Sequence, residues 1–367
     1  MKRVGLIVNP VAGMGGSVGL KGTDGELYRR ALELGAEPVT PGRTEEFLSR
    51  IQRKDDIALL VAPGKMGTDY VAGFNGPVTV VGEIGEETSA DDTRRIATEM
   101  VERRAELLIF VGGDGTARDI YDAIDAEVPV VAVPAGVKAY SAVFAVNPRA
   151  AAHMVDVFME GSSVTQQEVL DIDEDAFRED RLASRRYGTL LVPEERRFLQ
   201  RGKVASSGSP SVEESKREIA GFFVEGMDPE TLYLLGPGTT VRAITEEMGL
   251  PKTLLGVDAV VARRQVGADL NEQMILDLFQ EYLTRVIVVT PLGGNGFIFG
   301  RGNKQFTPYV IRRAGPENIH VIATRQKLRT LDCLHVDTGD PELDETLAGW
   351  ITVTVGYRQS RMIQVAG

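Results

Sequence analysis

Leu107-Leu108-Ile109-Phe110-Val111-Gly112-Gly113-Asp114-Gly115-Thr116 is the stretch on which the fold turns. Five apolar residues empty into a glycine cluster, which reads as a buried strand ending in a tight loop. The polar-amphipathic run Ala117–Ala126 follows and reads as a helix. A loop between a strand end and a helix start points its N–H groups outward with the helix dipole behind them, and so forms an anion site. Gly112, Gly113 and Gly115 remove side chains that would hold a phosphate off the backbone, and they permit positive φ. Asp114 is the odd member. A carboxylate repels phosphate unless it binds a metal or takes a proton from an attacking hydroxyl. The plain alternative is a turn made of the usual turn residues; the strand before it and Thr116 after it favour a site.

Around this stretch the first part of the chain alternates between strand and helix patterns. Val4–Val8, Ile57–Ala62, Val78–Val81, Leu107–Val111 and Val128–Val133 read as strands, and Gly25–Leu34 as a helix. Ser89-Ala90-Asp91-Asp92 is placed to cap a helix running to about Arg104, and another helix runs from near Arg149 to near Glu160. Such alternation implies a mostly parallel sheet covered by helices, with ligand loops at the carboxyl ends of its strands. The texture changes near Gln166. Val169–Ile172, Tyr187–Val192 and Glu218–Val224 read as strands, with a mobile loop at Ser206–Ser211. A second alternating stretch has strands Leu232–Leu235, Thr253–Val261, Val286–Thr290 and Ile319–Ala323, with helices after Gly236–Thr240 and over Asn271–Tyr282. Trp350–Gly356 and Met362–Val365 read as closing strands. The expected architecture is α/β: an N-terminal parallel α/β sheet domain over 1–164, then a β-rich C-terminal domain over 165–367 with an α/β-like segment near 229–330.

The 367 residues exceed what one core normally serves. With 53 acidic against 41 basic residues the net charge is −12, and the bases are scattered, which argues against nucleic acid as a partner. A single cysteine, Cys333, excludes an intrachain disulfide and a thiolate metal cluster, and reads as a small buried hydrophobe. His153, His320 and His335 are too far apart in sequence to favour a histidine metal site. No apolar run reaches membrane-spanning length, and the N-terminus enters a strand without a secretory pattern. A cytoplasmic enzyme without a membrane partner is expected.

Other loops sit at strand ends. In Asn9–Gly16, Asn9 and Pro10 turn the chain, and Gly13, Gly15 and Gly16 allow phosphates to lie close, although the spacing departs from GxGxxG. Lys21 could meet phosphate, and Asp24 could meet Mg²⁺ or a ribose or else cap the next helix. After the strand that follows the Asp114 loop, Gly136, Lys138 and Ser141 are expected to face Asp114, with Lys138 supplying positive charge for a transferring phosphoryl group. Gly238, Thr239 and Thr240 lie at a third strand–glycine–helix junction, as an anion site or a tight turn. Thr290–Gly296 and Gly300–Asn303 read as a close-approach surface, and Asp337–Asp340 as a solvated acidic turn.

Gly112–Thr116 is also the signature of a superfamily of ATP-dependent kinases, and the chain resembles the NAD kinases most closely, with diacylglycerol and sphingosine kinases as more distant relatives. The order of pieces resembles a divergent ATP-NAD kinase branch: Asn9-Pro10-x-x-Gly13, Lys21–Gly25, Pro134–Lys138, Thr290–Gly296 and Val336–Asp340. The resemblance implies that Asp114 activates the acceptor hydroxyl while the loop glycines approach the triphosphate. It implies a kinase acting on NAD with ATP or polyphosphate, with Mg²⁺ arriving with ATP, no permanently bound cofactor and no fixed metal. It further implies a homo-oligomer, and an acceptor held between an α/β and a β-rich domain. Two departures concern the acceptor. The Asn-Glu pair that holds NAD's adenosine is absent, and so is the full Thr-Pro-Thr-Gly-Ser-Thr-Ala-Tyr run, of which Thr290-Pro291 is only a beginning. Phosphorylation of a lipid, sugar or nucleoside hydroxyl, or a non-catalytic nucleotide sensor, are the alternatives.

Overall fold

The computed structural model describes residues 1–14, 26–135, 141–172, 184–195, 199, 210–253 and 255–366. They fall into two compact units, one ending with Leu199 and one starting with Pro210.

The first unit is built on a five-stranded sheet in the order β3-β2-β1-β4-β5. Its strands are β1 (Lys2–Val8), β2 (Ile57–Val61), β3 (Val78–Val80), β4 (Leu107–Gly112) and β5 (Val130–Pro134), and every pairing is parallel. All six residues of β4 and all five of β5 are buried, as unbroken apolar runs on a sheet covered on both faces should be. The described helices between them are α1 (Glu26–Glu33), α2 (Thr40–Arg50), α3 (Ala90–Glu102) and α4 (Asp114–Ile124), and α5 (Pro148–Met159) follows β5. α2 packs with α5, and α3 with α4. Ser89 caps α3 in a reciprocal box with Asp92, as its sequence expects. α2 has no counterpart in the sequence reading, although Thr44, Phe47, Leu48 and Ile51 bury one helical face. An antiparallel hairpin, β6 (Val164–Ile172) with β7 (Ser184–Pro193), also belongs to this unit and packs on α4.

The chain runs from β1 outward to β2 and β3, then returns to place β4 on the other side of β1. The sheet therefore changes winding direction between β1 and β4. In open parallel sheets the crevice beyond the strand ends at such a switch is where ligands bind.

The second unit corrects the reading of Glu218–Val224 as a strand. These residues lie in α6 (Pro210–Glu225), of which Pro210 and Ser211 form the start. Val212, Lys216, Ile219, Ala220 and Val224 are buried at helical spacing, and this period overrides the β-prone run. Residues 206–209 lie outside the described residues. Among the described residues the unit's sheet has nine strands in the order β10-β9-β8-β11-β13-β15-β16-β14-β12. Parallel pairings join β8 (Leu232–Leu235), β11 (Arg285–Val289), β13 (Ile319–Ile322) and β15 (Gly349–Gly356). Antiparallel partners at their sides are β9 (Asp258–Val261) and β16 (Gln359–Ala366), beyond which lie β10 (Arg264–Gly267), β14 (Leu334–Val336) and β12 (Phe297–Phe299). The helices are α7 (Thr239–Glu247), α8 (Glu272–Glu281), α9 (Pro308–Ala314), α10 (Arg325–Arg329) and α11 (Pro341–Leu347). The β-rich domain with an α/β-like segment is thus a mixed sheet with a parallel centre.

Three local readings need correction here. Only the last part of Thr253–Val261 is strand, because Lys252 and Asp258 close the preceding residues into a loop. Asp337 is not solvated: it is buried, with its carboxylate 3.9 Å from the Arg301 guanidinium. Cys333 is half-buried, and its Sγ lies 3.5 Å from His335 Nε2.

Burial first, and the Arg301 charge second, push the His335 imidazole down to about 4, against an opposing pull from Asp337. Unfolded histidine takes its proton near about pH 6.5. The unfolded chain therefore binds the additional proton between these values, so stability is intact above about 6.5 and falls as pH drops toward about 4. The loss is on the order of 3 kcal/mol. Denaturant unfolding across this range should show the acid-side slope in the wild type and a flatter curve in His335→Gln; parallel curves would contradict it.

Candidate active site

β4 ends at Gly112, and Gly113 is the N-cap of α4 in extended backbone, φ −123° and ψ −168°, its carbonyl accepting from the Ala117 N–H at 3.0 Å. The helix therefore begins at Asp114, earlier than the sequence reading of Ala117–Ala126, and Asp114 sits in its first turn rather than mid-loop. A carboxylate there is favoured by the helix dipole. Asp125 and Ala126 adopt left-handed backbone and end the helix.

The loop glycines do not use the left-handed backbone they permit. None of Gly112, Gly113 and Gly115 has positive φ. A Cβ on Gly112 would lie 2.4 Å from Thr116 Oγ1 and 2.6 Å from Thr116 Cβ, so this glycine makes room for a side chain. A Cβ on Gly115 would meet Arg118 Nη2 at 3.8 Å, an ordinary contact. Gly112→Ala is expected to destabilise the protein by about 1–3 kcal/mol, since buried Thr116 cannot swing away. A shift of less than about 0.5 kcal/mol in denaturant unfolding would remove this explanation of the glycine.

Thr116 is 3% exposed, and its Oγ1 accepts from Asn9 Nδ2 at 3.0 Å. Asn9 also donates its backbone N–H to Val111 O at 2.9 Å and accepts from Val11 N–H on Oδ1 at 3.2 Å. One asparagine thus turns the chain out of β1 and ties that turn to the end of β4 and to α4. Gly13 follows with φ 83°.

Asp114 is 7% exposed. Its Oδ1 accepts from the Ser141 backbone N–H at 2.8 Å and from the Ser141 hydroxyl at 2.5 Å. The structure therefore brings Asp114 to Ser141 and Asn9 to Thr116, all at the winding switch between β1 and β4. Gly15, Gly16, Lys21, Asp24, Gly136 and Lys138 lie outside the described residues. Gly238, Thr239 and Thr240 belong to the second unit, where Gly238 caps α7 at φ 118° and a Cβ on it would lie 2.6 Å from Thr290 Cγ2. Among the described residues, no group of three or more His, Cys, Asp or Glu is placed to hold a metal ion.

One participant has no sequence signal: the Leu170 backbone N–H in β6, which donates to Ser141 Oγ at 2.9 Å. The arrangement supplies a helix N-terminus that favours anions and a buried carboxylate held in one orientation. Together these suit transfer of an anionic group to a hydroxyl.

Comparison with known proteins gives two family matches: the ATP-NAD kinase N-terminal domain over residues 4–163, and the ATP-NAD kinase C-terminal domain over residues 228–365. No curated protein matches. Among solved structures, two chains from Bacillus anthracis str. Sterne described as diacylglycerol kinases (one of them provisionally) are 15% and 16% identical, with TM-scores of 0.23 and 0.22. Each match covers 47% of this chain and 46% of the other, so the chain spans about half the length of these solved relatives.

Proposed function

We infer the function from one premise: this chain belongs to the ATP-NAD kinase family. It is a kinase of that family, and we propose that it moves the terminal phosphoryl group of ATP or polyphosphate to the 2′-hydroxyl of the NAD adenosine ribose, giving NADP. The observation that carries this reading is the place of Asp114, buried in the first turn of α4 at the sheet's switch point with Oδ1 fixed by two donors.

In this reading the acceptor oxygen forms a bond to the phosphorus, the bridging oxygen leaves with the donor's remaining phosphates, and Asp114 takes the hydroxyl proton. The α4 N-terminus stabilises phosphate charge. Gly112 and Thr116 shape the strand-to-helix junction, and Gly113 and Gly115 keep it open to the donor. Bound with the donor, Mg²⁺ would supply charge neutralisation on its phosphates, and Lys138 is assigned the same role from the protein. A cytoplasmic location and self-association belong to the reading through the family resemblance. No described helix is long and apolar enough to cross a membrane.

A coupled assay with an NADP-specific dehydrogenase tests it. Protein, Mg²⁺, NAD and ATP or polyphosphate should yield signal that depends on the protein and the donor. Absence of NADP with both donors would overturn the NAD assignment.

A further inference from the structure

We propose that Ser141 is a positioning residue for the Asp114 carboxylate and not a phosphate ligand; this rests on the kinase reading of Asp114. Ser141 is 0% exposed. A serine hydroxyl has one proton to give, and here it goes to Asp114 Oδ1, while the oxygen accepts the Leu170 N–H at 2.9 Å. No proton is left for a phosphate oxygen. The Ser141 backbone N–H donates to the same Oδ1.

The hairpin β6–β7 is the anchor of this arrangement. Asp114, Arg118 and Asp122 are four residues apart and share one face of α4. Asp114 reaches β6 through Ser141 and the Leu170 N–H. Arg118 pairs with Asp171 of β6, and Asp122 accepts from the Tyr187 hydroxyl of β7 at 2.9 Å. Three successive ties thus set the helix and its first carboxylate against the hairpin. Ser141 is the tie that ends on the reacting group.

Ser141→Ala removes a hydrogen bond to a charged group and should lower kcat by about 10- to 100-fold. The dissociation constant for ATP with Mg²⁺, measured by calorimetry, should stay within about twofold. Ser141→Cys keeps a weaker donor on the same Cβ and should fall between, and it carries the comparison if Ser141→Ala does not fold. A tenfold weaker ATP affinity at unchanged kcat would make Ser141 a phosphate ligand instead, and no change in either would remove its role. A wild type that phosphorylates no acceptor would overturn the kinase reading alone. The tie is then read from the carboxyl carbon of Asp114 in carbon-13-labelled protein, assigned with Asp114→Asn. Its titration should move to higher pH in Ser141→Ala, since the lost bond favours the charged form; an unmoved titration would overturn the proposal.

Discussion

Asp114→Asn is expected to lower kcat by about 10²- to 10⁴-fold, the range that a positioned proton acceptor contributes. Asparagine has the same shape and its side-chain oxygen can still accept from Ser141, so the link to the loop after β5 is retained. What it loses is the capacity to take the hydroxyl proton. The unfolding midpoint should change little, because the Ser141 bonds to the side-chain oxygen are kept, and ATP affinity should hold or rise, because the substitution removes a negative charge near the donor's phosphates. The decisive comparison is kcat at saturating substrate, measured beside calorimetric ATP binding. A kcat within about tenfold of wild type would end the role of Asp114 as proton acceptor.

Lys252→Met is expected to have the largest effect on stability. Lys252 Nζ lies 3.2 Å from Asp258 Oδ2, with side chains 1% and 0% exposed. It also donates to Thr253 O and Gly256 O at 2.7 and 2.8 Å, while the Asp258 carboxylate accepts the Thr253 and Asp269 N–H groups. A buried pair so well hydrogen-bonded need not add net stability over an apolar pair, but removing one partner strands the other charge. The expected loss is about 3–5 kcal/mol in equilibrium unfolding. Asp258→Leu should also be costly, since two backbone donors lose their acceptor. A loss below about 1 kcal/mol in Lys252→Met would show that the loop relaxes to hydrate the carboxylate.

Much of the first unit is legible from sequence because its physics is local. Leu107–Val111 and Val130–Val133 are apolar runs of strand length that a sheet covered on both faces buries whole, and Ser89 with Asp92 is a capping box three residues apart. The strand reading of Glu218–Val224 fails because Ile219, Phe222, Phe223 and Val224 are β-prone in isolation, and the helical period emerges only when Val212 and Lys216 are included. At the candidate site, residue types singled out loops that the sheet brings together, but not the contacts those loops make. Gly112 yields to Thr116, and Thr116 is held by Asn9, 107 residues earlier. Ser141 meets Asp114 across 27 residues and Leu170 across 29, and no spacing rule encodes such contacts. The winding switch between β1 and β4, which explains why these loops share one place, is a property of strand order and becomes visible only with the sheet.

The measurement that bears most directly on the central claim is a mass-spectrometric phosphorylation assay. Wild type and Asp114→Asn are each incubated with Mg²⁺ and ATP or polyphosphate against NAD, NADH, nucleosides and diacylglycerol. NADP forming with wild type and vanishing with Asp114→Asn is the expected result. Phosphate appearing on another acceptor instead would contradict the NAD assignment while keeping the chemistry, and no product from a protein that still binds ATP would contradict the enzyme itself.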